Sequence, residues 1–139
     1  MNGFVTGQVR TLIKIEGLAV LITCLLAYEY FQYDWTLFLI LFFLPDIAFL
    51  GYLAGPVTGA IVYNITHTYI AAFACLVSGL LMQFPELIAG GLIWSAHIGF
   101  DRMLGYGLKY ATGFSHTHLG LIGKEGQALS AENSDRESG

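Results

Sequence analysis

The sequence is poor in charged residues, and one long stretch has none. Asp, Glu, Lys and Arg are all absent from Ile47 to Pro85. Charged residues make up 12% of the 139 residues, whereas hydrophobic residues make up 55%. Soluble domains carry roughly 25% charged residues. This balance argues against a soluble domain and predicts an integral membrane protein whose main partner is the lipid bilayer.

The sequence also lacks the motifs of several function classes. Cys24 and Cys75 stand alone in apolar runs, which indicates small buried hydrophobic residues and not a redox pair. Neither GxxxxGK nor GxGxxG occurs, so the sequence gives no sign of a phosphate-binding loop. With 6 Lys and Arg against 10 Asp and Glu there is no basic patch, and we expect no nucleic-acid partner.

Apolar segments separated by short turns predict an all-α fold, a four-helix transmembrane bundle. The predicted spans are residues 12–33, 35–54, 57–82 and 87–108. We expect residues 1–123 to form one integral membrane domain that ends in a cytoplasmic C-terminal loop. The polar tail, residues 124–139, is predicted to be disordered because it has few apolar residues to bury.

The basic residues near the ends of the spans predict the orientation of the bundle. With four spans, the side of both termini collects Arg10, Lys14, Lys109 and Lys124. The opposite side has acidic residues but no Lys or Arg, so the positive-inside rule places both termini in the cytoplasm. A bundle of only four spans is also compatible with a homo-oligomer that encloses a larger site.

Four ionisable residues interrupt the apolar spans at similar depths. Asp46 lies in the second span, His67 in the third, and His97 and Asp101 in the fourth. A rise of ~1.5 Å per residue places all four in one slab less than about 10 Å thick. His97 and Asp101 are four positions apart and share one helix face. Because ionisable groups in hydrocarbon are seldom kept without a partner or a task, we expect the four to converge.

Two imidazoles and two carboxylates form a suitable site for a divalent cation such as Zn²⁺, Fe²⁺ or Mn²⁺. The predicted metal ligands are Asp46, His67, His97 and Asp101, with His118 from the SHTH loop as an additional ligand.

The predicted catalytic residues are Asp101, Arg102 and Asn64. We expect Arg102 to hold an anionic group and Asn64 to orient a ligand or the substrate. In the alternative interpretation, the polar residues only pair with one another, for example as an Asp46–Arg102 ion pair, and fix the packing of the helices.

Two stretches of the chain resemble a known family. PDIAFLGYLAGPVTGAIVYNITHTY and AHIGFDRMLGYGLKYATGFSHTHLG are similar to a bacterial membrane family catalogued as domain of unknown function 4260. The likeness runs from about Leu12 to Gly123. It implies four transmembrane helices in a bacterial inner (plasma) membrane, and it carries no activity.

A more distant likeness concerns the polar residues alone. The order of PD, a Thr-His element and HxxxD resembles that of membrane-bound metal-dependent hydrolases related to zinc phospholipase C. In this likeness Asp46 matches the PD aspartate, His67 the middle histidine, and His97 with Asp101 the HxxxD pair. It implies a hydrolase that acts on a membrane lipid or phosphoester.

The chain departs from that hydrolase pattern at one point. Those enzymes usually have an arginine beside the middle histidine, whereas this chain reads NITHTY around His67. A mononuclear site and a non-catalytic site therefore both stay open. Two other functions also stay open, namely a proton- or cation-handling transport protein and a non-enzymatic accessory membrane subunit.

Overall fold

Helices account for most of the chain in a computed structural model, which describes residues 5–112 and 114–137. The α-helices are α1 (Gly7–Tyr30), α2 (Trp35–Leu41), α3 (Pro56–Thr66), α4 (Tyr69–Met82), α5 (Pro85–Leu104) and α6 (Gly123–Glu137). A 3₁₀ helix, Leu44–Ala54, joins α2 to α3. Between α5 and α6, strands β1 (His116–Thr117) and β2 (Gly120–Leu121) form a short antiparallel hairpin in which Thr117 faces Gly120.

Three helical segments are long and apolar enough to cross a membrane. They are Gly7–Tyr30, Trp35–Ala54 and Pro56–Met82. At most 17% of the most apolar stretch of each is buried inside the protein, as expected of helices that face lipid. These segments support the prediction of an integral membrane protein. α5, in the fourth predicted span, is less apolar because it carries Glu86, Asp101 and Arg102.

The sequence predicts unbroken helices over 35–54 and 57–82, but the structure interrupts both. α2 ends at Leu41, and the chain continues as the 3₁₀ helix after Pro45 removes a backbone donor. α3 ends at Thr66, and the Thr68 hydroxyl then caps α4 by accepting the Ile70 N–H at 3.5 Å. The two interruptions lie beside Asp46 and His67.

α5 lies at the centre of the packed helices. Twelve of its 20 residues are buried, against three of 24 in α1. It packs against both α1 and α4. Gly17 of α1 and Gly99 of α5 let the two backbones touch, since a Cβ added at Gly99 would lie 2.7 Å from the Gly17 carbonyl oxygen. Such contacts between small residues are typical of helices that associate in membranes.

The C-terminal tail differs from the sequence expectation. The predicted disordered tail is instead helical over Gly123–Glu137. Its Ala, Glu, Gln and Lys residues favour a helix even where little is buried, and Arg136 pairs with Glu132 one turn earlier. Residues 1–4 of the predicted membrane domain and 138–139 of the tail lie outside the described residues.

Candidate metal centre

Asp46, His67, His97 and Asp101 converge inside the bundle. The Nε2 atoms of the two histidines are 3.2 Å apart. Each of these Nε2 atoms lies 3.4 Å from Asp46 Oδ1 and 3.5 Å from Asp101 Oδ2. All four atoms lie within 4.8 Å of one another, so they form one cluster of the size that holds a single ion.

Three separate segments supply the cluster. Asp46 lies in the first turn of the 3₁₀ helix, directly after Pro45. His67 ends α3 at the interruption before α4. His97 and Asp101 project from one face of α5, as their spacing predicts. The cluster therefore depends on how α5 packs against the two interrupted segments.

Donors from α5 hold the interruption at His67 in place. A helix end leaves carbonyl oxygens without intrahelical partners. Trp94 Nε1 donates to the Thr66 carbonyl at 2.6 Å, and Arg102 Nη2 donates to the His67 carbonyl at 2.9 Å. Arg102 Nη1 also donates to the Tyr106 carbonyl at 3.0 Å, just past the end of α5. Side chains of α5 thus bond the Thr66 and His67 carbonyls at the break.

Hydrogen bonds also fix the orientation of the His67 ring. Its Nδ1 lies 3.0 Å from the Tyr63 carbonyl oxygen and 2.8 Å from Thr66 Oγ1. Because a carbonyl oxygen only accepts, we assign the ring hydrogen to Nδ1, which leaves a lone pair on Nε2. The Tyr63 ring stacks on the His67 ring at 3.7 Å. A metal-binding histidine is usually oriented in this way, by the hydrogen bond of its other nitrogen.

His97 is held by packing more than by hydrogen bonds. It is buried, and its ring meets the edge of the Phe42 ring at 5.3 Å. Its Nδ1 lies near the Phe42 backbone without the geometry of a hydrogen bond, and it has no other partner among the described residues. Among the described residues, the ring therefore makes polar contacts only through Nε2, within the cluster.

A cleft of about 390 Å³ opens beside the two carboxylates. Asp46 and Asp101 line it, while the two histidines do not. The side chain of Asp46 is 34% exposed, whereas His67 is fully buried. Most side chains that line the rest of the cleft come from the chain after α5, with one from the 3₁₀ helix and one from α3: Phe49, Tyr63, Tyr106, Lys109, Phe114, Ser115 and Ile122. A small molecule in the cleft would reach the cluster from its carboxylate side.

Lys109 lines the cleft, although its position in the sequence indicates only the orientation of the bundle. It is 5% exposed, and its ammonium lies 3.6 Å from the centre of the Phe114 ring. Burial lowers the pKa of Lys109 to about 8, and the negative charge of Asp101 acts in the opposite direction. Its place among Tyr106, Tyr110 and Phe114 is the sequence signal that could have marked it as buried.

Three predicted site residues lie outside the cluster. The Arg102 guanidinium bonds backbone carbonyls, and no ion pair joins it to Asp46 within the described chain. The Asn64 amide bonds the backbone of Lys109. His118 Nδ1 accepts the Leu108 N–H at 2.9 Å. Burial and the charge of Arg102 lower the pKa of His118, which keeps its ring neutral for that bond.

Comparison with known proteins gives one match. The model of a family described as a domain of unknown function (DUF4260) matches residues 10–122. No curated protein and no solved structure matches the chain. The match spans the cluster, the cleft and the hairpin, which is most of the chain. The protein therefore belongs to the DUF4260 family, as the likeness of its two longest motifs predicts.

Proposed function

We propose that this membrane protein is a metal-dependent hydrolase that cleaves an ester or phosphoester of a membrane lipid. The ligands of its cation are Asp46, His67, His97 and Asp101. The observation that carries the proposal is the set of five distances of 3.2–3.5 Å among two Nε2 atoms and two carboxylate oxygens.

These distances fit an ion better than a hydrogen-bonded network. Ligands at 2.0–2.2 Å from a tetrahedral ion are separated from one another by about 3.3–3.6 Å. Hydrogen bonds between histidine and carboxylate would instead bring nitrogen and oxygen to about 2.7–2.9 Å. Because His67 Nε2 keeps its lone pair, either a ring hydrogen on His97 Nε2 or an ion must lie between the two Nε2 atoms, which are 3.2 Å apart.

The ligand types favour a first-row divalent cation. Imidazole and carboxylate together suit Zn²⁺, Fe²⁺ or Mn²⁺. When bound, such a cation lowers the pKa of a water molecule and so supplies a nucleophile near neutral pH. The carboxylates of Asp46 and Asp101 form the side of the cluster that faces the cleft, where water and substrate would enter.

The hydrolysis that we propose adds water across the ester. The oxygen of water bonds to the carbonyl carbon or phosphorus, the bond to the alcohol oxygen breaks, and the alcohol leaves with a proton. Asp101 is placed to accept the proton of water because its carboxylate lies in both the cluster and the cleft. Arg102 and Asn64 are positioning residues, since their side chains hold the backbone at His67 and Lys109.

The membrane arrangement that we propose has four crossings, with both termini in the cytoplasm of a bacterial cell and α5 as the fourth span. The N–H of Val5, before α1, donates to the carbonyl of His118 in the hairpin at 2.9 Å. The start of α1 and the chain after α5 thus lie at one end of the bundle, as an even number of crossings requires. With the positive-inside rule, the cleft would open toward the cytoplasmic side of the inner membrane.

The first test is metal content. The full chain, purified in detergent and dialysed against trace Zn²⁺, is expected to hold about one metal ion per chain by mass spectrometry. His97→Ala is expected to hold none, because it removes one of two nitrogen ligands. His116→Ala is the matched control, since His116 lies outside the cluster. Equal metal content in wild type and His97→Ala would refute the metal site.

The second test is hydrolysis. Wild type is expected to release 4-nitrophenol from bis(4-nitrophenyl) phosphate or 4-nitrophenyl butyrate, and chelation or His97→Ala is expected to abolish the release. A chain that binds metal but instead catalyses proton or cation flux into proteoliposomes would identify a transport protein. A chain with neither activity, in which Asp46→Asn costs nothing in the cell, would identify an accessory subunit.

A further inference from the structure

We propose that Lys109 forms an anion-binding subsite beside the metal centre, and that the substrate carries a phosphate group at this point. The inference extends the proposed function and rests on it for the metal ion, which is the other cation of the site beside the Lys109 ammonium. It assigns to Lys109 the role that the sequence alone suggests for Arg102.

Lys109 and the cluster share one wall of the cleft. The Tyr63 ring stacks on the His67 ring at 3.7 Å, and the Lys109 ammonium lies 4.9 Å from the centre of the same Tyr63 ring. Lys109, Asp46 and Asp101 all line the cleft of about 390 Å³. A ligand of a few heavy atoms in this volume can therefore reach the ammonium and the carboxylate side of the cluster together.

The Lys109 ammonium is buried, and no described residue pairs it with a carboxylate. One of its three N–H groups donates to the Phe114 carbonyl at 2.8 Å. No Asp or Glu oxygen of the described residues lies within 4.0 Å of it, and its other neighbours are the rings of Phe114, Tyr63 and Phe49. A buried charge is costly unless it is paired. An anion in the cleft would supply the missing pair.

Asn64 and the hairpin hold the backbone of Lys109 in place. Asn64 Oδ1 accepts the Lys109 N–H at 2.7 Å, and Asn64 Nδ2 donates to the Lys109 carbonyl at 2.8 Å. Lys109 also forms a bridge with Thr117 of the hairpin. These contacts fix where the side chain enters the cleft. A binding group is most effective when its position is set before the ligand arrives.

The charges of the site favour an anionic substrate. A divalent cation would be neutralised by the carboxylates of Asp46 and Asp101. The Arg102 guanidinium is bonded to backbone carbonyls, so Lys109 is the remaining cation of the cleft among the described residues. Phosphate suits the arrangement because its oxygens diverge, and one can meet the ion while another meets the ammonium.

The test uses the full chain in detergent, with and without bound Zn²⁺, and calorimetric titration with inorganic phosphate. Zn²⁺-loaded wild type is expected to bind phosphate at least about tenfold more tightly than Lys109→Met, the loss typical of one charge-assisted hydrogen bond. Lys124→Met is the matched control, because Lys124 is exposed next to the cleft residue Gly123. Lys109→Arg, which keeps the charge, is expected to restore part of the affinity.

Metal content measured on the same samples separates the two proposals. Zn²⁺ bound equally by wild type and Lys109→Met, with phosphate affinity lost only in the variant, supports the subsite. Equal phosphate affinity in the two chains overturns it, whether or not Zn²⁺ binds. Absence of Zn²⁺ from wild type overturns the proposed hydrolase instead, and the Lys109 comparison is then decided on the metal-free chains.

The source of the phosphate is distinguished by a second ligand. Dihexanoyl phosphatidic acid has the same charged group on a short lipid and stays soluble. Tighter binding of this lipid than of inorganic phosphate, again lost in Lys109→Met, would identify a lipid headgroup as the occupant. Equal binding of the two would identify a water-soluble phosphate compound.

Discussion

α5 buries polar side chains, whereas the apolar segments around it expose hydrophobic ones. α5 encloses His97, Asp101 and Arg102, all at most 8% exposed. On the surrounding segments, Leu53 and Leu81 are 87% and 81% exposed. A bilayer accepts the exposed leucines, so these segments need few internal contacts. The polar side chains of α5 need partners inside the protein, since lipid offers none.

This difference implies that substitutions in α5 disturb both the fold and the site. The surrounding helices can tolerate substitution wherever they face lipid, whereas α5 touches the backbone of α1 at Gly99 and supplies two of the four cluster residues. Four predictions test the contrast, and the first three follow the order of the effect that we expect.

Two glycines of α5 give the largest predicted contrast. Gly99→Ala places a methyl group 2.7 Å from the Gly17 carbonyl oxygen, and we expect it to lower the free energy of unfolding by about 3 kcal/mol. Gly90→Ala is the control, because an added Cβ there meets no described atom within 4 Å. The higher helix propensity of alanine should then stabilise by up to about 1 kcal/mol. Thermal unfolding in detergent measures both, and equal melting temperatures would contradict close packing at α5.

Zinc should stabilise the wild-type chain by binding to the cluster, two of whose residues lie on α5. At a free Zn²⁺ concentration about 100 times the Kd, linkage raises the free energy of unfolding by about 2.7 kcal/mol. Asp101→Asn should lose this gain, because an amide oxygen carries no charge to bind the ion. Glu16→Gln on α1 keeps the chemistry of the change but lies outside the cluster, and it should respond to Zn²⁺ as wild type does. A Zn²⁺ response that survives in Asp101→Asn would place the ion elsewhere.

Arg102 links α5 to the interruption at His67. Arg102→Met leaves the carbonyls of His67 and Tyr106 without these donors, and we expect a loss of about 2 kcal/mol of unfolding free energy. Metal affinity should fall as well, because His67 is less firmly placed. Arg10→Met removes an exposed cation of α1 and should change stability by less than about 0.5 kcal/mol. If Arg102→Met retained both wild-type stability and wild-type metal affinity, the positioning role would be wrong.

Lys109 gives an effect of a different kind, a dependence of stability on pH. The folded chain loses the Lys109 proton at about pH 8, whereas the ordinary pKa of 10.5 applies in the unfolded chain. Between these values the unfolded chain binds more protons, so the free energy of unfolding rises with pH. Below about pH 8 the cost of burying the charge is constant. Chemical unfolding at several pH values should show this rise in wild type and Lys124→Met, and a smaller rise in Lys109→Met.

Much of the membrane character and the meeting of the cluster residues could be predicted from the sequence. Spacing places His97 and Asp101 on one helix face, and counting residues from the ends of the spans brings Asp46 and His67 to the same depth. Both arguments use only the regular geometry of a helix. They hold even though two of the predicted spans are interrupted in the structure.

The interruption after Thr66 could not be predicted, because its cause lies elsewhere in the chain. No proline or glycine lies between Thr66 and Tyr69. The carbonyls of Thr66 and His67 accept hydrogen bonds from Trp94 and Arg102, about 30 residues later. A sequence pattern shows whether a helix is favourable, but not whether a distant donor makes its interruption equally favourable.

The roles of Asn64, Arg102 and His118 were obscured for a similar reason. Each has a side chain that could bind a ligand or a metal, and each forms hydrogen bonds with the backbone instead. Asn64 reaches a segment 45 positions away, which no local pattern reveals. Lys109 shows the reverse, since a residue that reads as a cytoplasmic charge lies buried in the cleft.

The residue spacing of α5 also sets the relative positions of the side chains around the cluster. Side chains of this one helix, from Trp94 to Arg102, contact Asp46, the interruption at Thr66 and His67, and the carbonyl of Tyr106. One inserted residue between Trp94 and His97 would turn everything beyond it by about 100°. His97 and Asp101 would then point away from the interruption at Thr66, to which Trp94 stays bonded. Variation in length can accumulate in the turns of this protein, whereas α5 must keep its count of residues.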